Sequence, residues 1–293
     1  MSQLQINTFS IVAYDAEEQA WGVGVASKFL AAGALVSWAR ANAGAIATQS
    51  FAKVGYGPQG LDLLASGQDA QTVLNTLLAN DPKREQRQVG IVDANGNAAA
   101  HTGKACMDWA GHRLGEGYTC QGNILTGQET INAMATAYEK ARGELADRLV
   151  TALQAGDTAG GDKRGKQAAA VLVVRPNGGY GGDTDRYLDL RVDDDATPVK
   201  KLKRLVASHH LFFGKPLEEN KVRITTEVAR ELQQIMLEQG YLGGEVNGEW
   251  DIVTQQAFWN LIGNENLEER WNLESEPEVI DRVALDYLRE RFK

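Results

Sequence analysis

Cysteine is scarce in this chain: Cys106 and Cys120 are the only two among 293 residues. Without a Cys-x-x-Cys pair, a disulfide framework is excluded as the organising device, and a reducing, cytoplasmic setting is the expectation. No apolar run approaches the roughly 18 residues of a membrane-spanning helix, so no membrane partner is expected. The stretch Met1-Ser2-Gln3-Leu4-Gln5 has neither a basic n-region nor an apolar h-region, and no secretory signal is expected there. Positive charge is also short. Thirty Lys and Arg face 39 Asp and Glu, a net charge of −9. Nearly all of the deficit lies from Lys215 onward, where nine basic residues face seventeen acidic ones. Neither part offers a basic surface for a phosphate backbone, so nucleic acid is not expected as a partner.

Nucleotide and metal signatures are missing as well. Gly22-Val23-Gly24 lies inside a predicted strand instead of at a strand-to-helix turn, so it is no dinucleotide fingerprint. Gly160-Gly161-Asp162-Lys163-Arg164-Gly165 lacks the spacing and the Ser or Thr of a phosphate loop. It reads as a surface connection, or as a mobile loop offering Asp162, Lys163 and Arg164 to an anionic substrate. His101, Cys106, His112 and Cys120 are five, six and eight residues apart, unlike zinc ligands in close pairs. Neither metal nor cofactor is expected. Asp193-Asp194-Asp195 reads as a solvated strand end.

What is present is an ordinary globular composition, 43% hydrophobic and 24% charged. Ile6–Tyr14 and Ala20–Lys28 alternate around a polar turn, a hairpin signal, and Gly44–Phe51 adds a third strand. Residues 56–67 and 69–80 carry helical spacing. A second hairpin follows around Asp93-Ala94-Asn95-Gly96, then a strand at Tyr118–Ile124. Two helices, 126–142 and 145–155, precede the apolar strand Ala168–Val174 and the strand Tyr187–Val192. A helix over Pro198–Phe213 ends at Gly214. Strands and helices in blocks predict an α+β fold of antiparallel sheets with outer helices and disfavour a doubly wound sheet. The Gly214-Lys215-Pro216 break predicts domains over 1–214 and 215–293, the second a small unit of three helices.

Several stretches resemble a bacterial and archaeal family known as domain of unknown function 1028. They are Thr8-Phe9-Ser10-Ile11-Val12-Ala13, Gly22-Val23-Gly24-Val25-Ala26-Ser27-Lys28-Phe29 and Tyr56-Gly57-Pro58-Gln59-Gly60-Leu61. Further along come Trp109-Ala110-Gly111-His112-Arg113, Tyr118-Thr119-Cys120-Gln121-Gly122-Asn123, Gly160 to Gln167, and Leu190-Arg191-Val192-Asp193-Asp194. The resemblance runs in order from about Thr8 to Phe213. It implies a four-layer αββα sandwich of the N-terminal-nucleophile (Ntn) hydrolase type, without supplying a reaction. Over Leu232–Phe258 the tail resembles peptidoglycan-binding domains, through Gly240-Tyr241, Val246-Asn247-Gly248, Trp250-Asp251, Thr254, Ala257 and Phe258.

In an Ntn hydrolase a Thr, Ser or Cys opens the first strand, and its own α-amine serves as the base. A free α-amine has a pKa of about 7.7–8.0, so a useful fraction is unprotonated near neutrality. Thr8 is the residue that the resemblance puts in this role. Lys28 and Arg40 are the candidate cations that would keep the amine neutral, with Ser27 as a proton-relaying neighbour. Gln49, Gln121 and Asn123 are candidate donors to an oxyanion or substrate, joined by Asp162 and Arg164 for an anionic group. Residues 1–7 precede Thr8, so its nitrogen is acylated by Asn7 until that bond is cut. Thr8 also reads simply as a β-branched strand residue. Ser2 and Cys120 are lesser nucleophile candidates, although free cysteines are among the most buried residue types.

Three functions therefore stay open. One is an amidohydrolase acting on a small amide or peptide-like substrate. Another is a non-catalytic protein of the same fold, binding a small molecule or serving as a scaffold. The third is a module that binds peptidoglycan fragments. A homodimer is a further expectation.

Overall fold

The structure, a computed structural model, describes residues 8–293. Ser2, and the Ile6 and Asn7 that the sequence pattern adds to the first strand, lie outside the described residues. Two compact units divide the chain, one ending at Val206 and the other spanning Ala207–Lys293.

In the first unit, alternating residues build the opening hairpin, β1 (Thr8–Asp15) with β2 (Ala20–Ser27). A one-turn helix α1 (Gly33–Val36) leads to β3 (Ser37–Arg40), which pairs with β4 (Gly44–Ser50). Helices α2 (Tyr56–Ala65) and α3 (Ala70–Ala79) follow, and the Asp69 carboxylate caps α3 by accepting from the Thr72 N–H at 2.9 Å. Next come β5 (Arg87–Asp93), β6 (Ala98–Thr102), β7 (Gly111–Gly115) and β8 (Tyr118–Gly122). The helix pair α4 (Glu129–Lys140) and α5 (Leu145–Thr158) precedes β9 (Ala168–Val174), β10 (Arg186–Val192) and α6 (Pro198–Phe213), whose last turns, from Ala207, belong to the second unit.

Two antiparallel sheets result. Six strands run in the order β10-β9-β2-β1-β8-β7, and four in the order β3-β4-β5-β6. The alternation predicted from sequence decides what each face meets. Phe9, Ile11 and Ala13 of β1 join Ile131, Met134, Leu149 and Leu153 of α4 and α5 in one core. Ile46, Val89 and Ile91 of the smaller sheet join Leu61, Leu64, Val73 and Leu77 of α2 and α3 in another. The opposite faces meet each other, with Val12, Trp21, Val23 and Val25 against Ala45, Ala47 and Val92. Each sheet thus has helices on one face and the other sheet on its second face. The α+β class with antiparallel sheets is as predicted. Strands β3 and β7 were not read in the sequence.

After the end of α6, the second unit continues with three helices, α7 (Thr226–Glu238), α8 (Ile252–Asn264) and α9 (Arg282–Arg291). A short ladder of β11 (Lys221–Arg223) and β12 (Val279–Asp281) accompanies them. Thr225, Asp251 and Asp281 cap the three helices through side-chain oxygens. Leu232, Met236, Phe258, Leu261, Trp271 and Leu288 form its core. Trp271 stacks edge-to-face on Phe258 and Trp250, and both indole N–H groups donate to the Pro277 carbonyl, at 2.8 Å for Trp250 and 3.3 Å for Trp271. These tryptophans serve packing.

Candidate functional site

The space between the two sheets changes character along its length. At one end it is filled by the apolar side chains just named. At the other the inward positions carry Thr8 and Ser10 of β1, Ser27 of β2, Gln49 of β4, Gln88 of β5 and Gln121 of β8, with Asn123 just beyond β8. All of these are buried. Burying so many amides and hydroxyls is tolerable only if they satisfy one another, and they do. The Thr8 hydroxyl donates to Ser27 Oγ at 3.2 Å. The Ser10 hydroxyl donates to Gln49 Oε1 at 2.7 Å and accepts from Gln121 Nε2 at 2.6 Å. Gln49 Nε2 donates to Gln88 Oε1 at 2.8 Å, and so does Asn123 Nδ2 at 3.0 Å. Gln88 Nε2 in turn donates to the Gly122 carbonyl at 2.7 Å, tying the small sheet to the large one.

Thr8 stands at the head of β1, with β2 and β8 on either side. Its carbonyl accepts from the backbone N–H of Asn123 at 3.0 Å and from Gln49 Nε2 at 3.3 Å. Gln49 and Asn123 therefore do come to Thr8, and Gln121 comes to its neighbour Ser10, but as groups that hold β1 in place. Their donors are spent on Thr8, Ser10 and Gln88 instead of being aimed at an outside oxyanion. Ser10 and Gln88 are members that the sequence reading missed. Their signal was a polar residue at a core-facing position of an otherwise apolar strand.

Beside this network the Gly160–Gly165 segment is sewn to the end of β2. Asp162 is buried, with both carboxylate oxygens engaged. Oδ2 accepts the Lys28 N–H at 2.9 Å and Arg164 Nη2 at 2.8 Å. Oδ1 accepts the Arg164 N–H at 2.9 Å and Nε at 3.1 Å. The Gln167 N–H reaches the Ser27 carbonyl and the Lys163 N–H the Ile124 carbonyl, at 3.0 and 2.9 Å. Ser27, Lys28, Asp162 and Arg164 thus gather around the head of β1.

Residues 8–202, from the head of β1 into α6, match the model described as "Family of unknown function (DUF1028)". The chain belongs to this family. Among solved structures, the DUF1028 protein SPO2555 from Silicibacter pomeroyi is similar, at 30% identity and a TM-score of 0.64. That alignment covers 71% of this chain and 91% of that one. Residues 212–288 match a second model, described as a "Putative peptidoglycan binding domain". No curated protein matches.

Within the DUF1028 domain, Arg40 does not join Thr8. It ends β3 opposite Gly44 and pairs with Asp62 at 2.9 Å, whereas Gln49 lies five residues further along β4. At about 3.3 Å per residue that is roughly 17 Å, toward the opposite end of the sheet. Cys120 faces the α4/α5 core and is fully buried, and burial pushes its thiol well above the ordinary cysteine range. Cys106, half-buried, is raised for the same reason. Neither thiol has the lowered pKa of a nucleophile. His112 Nδ1 lies 2.9 Å from the Thr102 hydroxyl, and its pKa is lowered by burial and then by His101. Among the described residues no group of three or more His, Cys, Asp and Glu side chains could hold a metal ion.

In the peptidoglycan-binding-like domain, Gln233 secures the loop that carries Val246-Asn247-Gly248. Its Nε2 donates to Asn247 Oδ1 at 3.0 Å and to the Glu249 carbonyl at 2.8 Å, while Oε1 accepts the Gly248 N–H at 2.7 Å. Gly248 has φ +81, and a Cβ there would sit 2.7 Å from Thr226 Cγ2, so glycine is required twice over. A cavity of about 360 Å³ lies elsewhere in this unit, lined by Lys221, Glu268, Trp271, Asn272 and Glu276 among others.

Proposed function

We propose that this DUF1028 protein is the precursor of an Ntn-type amidohydrolase, with Thr8 the nucleophile once the Asn7–Thr8 bond is cut. The sheet-on-sheet layering between helix pairs supports an Ntn-type sandwich. The observation that carries the reading is the position of Thr8, at the head of a central strand, in the polar end of the inter-sheet space, with its hydroxyl on Ser27. Cleavage would free an α-amine on the residue that bears the hydroxyl. That amine would take the hydroxyl proton as the oxygen attacks the substrate carbonyl, and return it to the departing amine. Water would then release the acyl group from the Thr8 ester. Lys28, one residue beyond Ser27, adds a positive charge that favours the neutral amine.

The substrate class is a small amide or peptide-like compound, and the C-terminal match adds a peptidoglycan fragment as a ligand. The cytoplasmic placement expected from composition then calls for a soluble fragment instead of the wall polymer. A non-catalytic scaffold is the second reading, favoured by the complete burial of Thr8 and the mutual satisfaction of its neighbours.

Intact-mass measurement of the purified, untagged protein beside Thr8→Ala separates the two. Loss of residues 1–7 in the parent alone supports the amidohydrolase. Full-length masses in both, apart from methionine removal, retire Thr8 as an amine-activated nucleophile and leave the scaffold.

A further inference from the structure

Two residues of the Thr8 neighbourhood, Ser27 and Asn123, are each followed by a residue tied to the 162–164 segment. Lys28 gives its N–H to Asp162, and Ile124 takes the Lys163 N–H. The charges brought together in this way do not cancel. Asp162 is neutralised in place by Arg164. Lys28 and Lys163 are exposed, and neither ammonium has a hydrogen-bond or ion-pair partner among the described residues. Among the other carboxylates near this end, Asp157 pairs with Lys166 at 2.6 Å and Asp195 with Lys201, whereas Asp194 meets the neutral Gln167 amide at 3.1 Å and leaves one negative charge against the two lysines. Asp193 accepts the Ala31 N–H at its backbone carbonyl, and its carboxylate acts on the Arg191 guanidinium. Beside the two lysines stand exposed apolar side chains. Leu30 is 58% exposed, and Met107, whose carbonyl accepts the Ile124 N–H, is 46% exposed.

We infer that this lip receives a free carboxylate on an apolar peptide or acyl chain, with Lys28 and Lys163 as the two cationic contacts. The inference rests on the Thr8 reading for its catalytic meaning, but the binding it describes does not require reaction. A compact ammonium presented at a rim is suited to steering and holding an anion. Among the described residues, the buried network behind it offers neutral groups already bonded to one another, so selection for charge falls to the rim.

The test is equilibrium binding to full-length protein carrying Thr8→Ala, which cannot turn over. The probes are N-acetylated dipeptides with apolar side chains, each as the free acid and as the C-terminal amide. Free acids should bind at least tenfold more tightly than their amide twins. Lys28→Gln and Lys163→Gln should each weaken the acids by about fivefold, the upper range for an exposed charge pair, and leave the amides unchanged. Raising the salt should act in the same direction as the lysine variants. Equal binding of acid and amide, no binding of either, or acid binding indifferent to both lysines would each overturn the inference. Acid-selective binding in a protein whose parent is never processed at Asn7–Thr8 would sink the hydrolase reading and leave the carboxylate site standing.

Discussion

Asp81 is the most exacting point at which to test the electrostatics of the DUF1028 domain. Its carboxylate is buried between α3 and β5, accepting from Arg87 Nε at 2.8 Å, the Tyr56 hydroxyl at 2.9 Å and the Lys83 N–H at 2.9 Å. Burial alone would raise its pKa. The Arg87 guanidinium, the Lys83 N–H and the Tyr56 hydroxyl together outweigh that and hold it at about 2, against an ordinary 3.8. At about 1.4 kcal/mol per pH unit, the ionised form contributes about 2 kcal/mol to stability. Because the folded pKa is the lower one, this contribution is present above the unfolded value near 4. It is lost as pH falls toward 2. Urea unfolding of the parent and of Asp81→Asn, followed by tryptophan fluorescence, should show the parent ahead at pH 6. Its advantage should shrink by about 2 kcal/mol at pH 2. A gap that stays constant over that range would refute the argument, because the variant would then be losing something other than a held carboxylate. The pair also bears on the site. Arg87 faces Ser50 in the β4–β5 ladder and donates through Nη1 to the Phe51 carbonyl, so it anchors the segment that leaves β4 just after Gln49.

Three further outcomes follow from named contacts. A Cβ on Gly90 would sit 2.2 Å from Gln121 Oε1, so Gly90→Ala should push that amide off Ser10 and Thr119. Stranding those groups should cost about 1–3 kcal/mol in a denaturant melt, and a neutral result would mean that the gap between the sheets can widen. In the second unit Arg270 joins Asp281 at 2.5 Å and donates to the carbonyls of His210 and Leu211. Arg270→Met should leave that carboxylate buried and unpaired, lowering the stability of this unit by about 3–5 kcal/mol, as read by calorimetry. Both thiols are raised by burial, so alkylation of the folded protein at pH 7.5 should be slow, and quick only after unfolding. Rapid labelling of Cys120 in the native state would contradict its place in the core.

The parts of the fold legible in the sequence were those that obey a period. Thr8-Phe9-Ser10-Ile11 alternates polar and apolar residues, and the structure sends Phe9 and Ile11 to the helices and Thr8 and Ser10 to the other sheet. The edge strand β7, Gly-His-Arg-Leu-Gly, is half-exposed and has no apolar face, so periodicity had nothing to report. Arg40 shows a different limit. The sequence supplied a basic residue as a candidate without a strand to carry it, so nothing in it said at which pole of the sheet Arg40 falls. The Ser37–Ala47 register puts Arg40 beside Gly44, at the far end from Gln49. Gln88 was missed for a third reason. A glutamine opening the predicted strand Gln88–Val92 shows its place in the ladder but not its partners, and it is a buried hub shared by Gln49, Asn123 and Gly122.

That hub shows why, among the described residues, the polar end of the inter-sheet space contains amides and hydroxyls but no charged group. An ion there would face a desolvation cost of several kcal/mol, whereas an amide can donate and accept at once and so pass hydrogen bonds from one sheet to the other. Gln49 reaches Gln88 within the small sheet and Ser10 in the large one, and Gln88 continues to Gly122 of β8. Methyl groups in the same space would pack without fixing register along the strands, whereas each of these bonds is lost if either sheet slides by one residue. The network therefore fixes where the head of β1 stands relative to β4, β5 and β8. Charge is left to the rim, where Lys28 and Lys163 remain in water and can meet an anion without having been buried to do so.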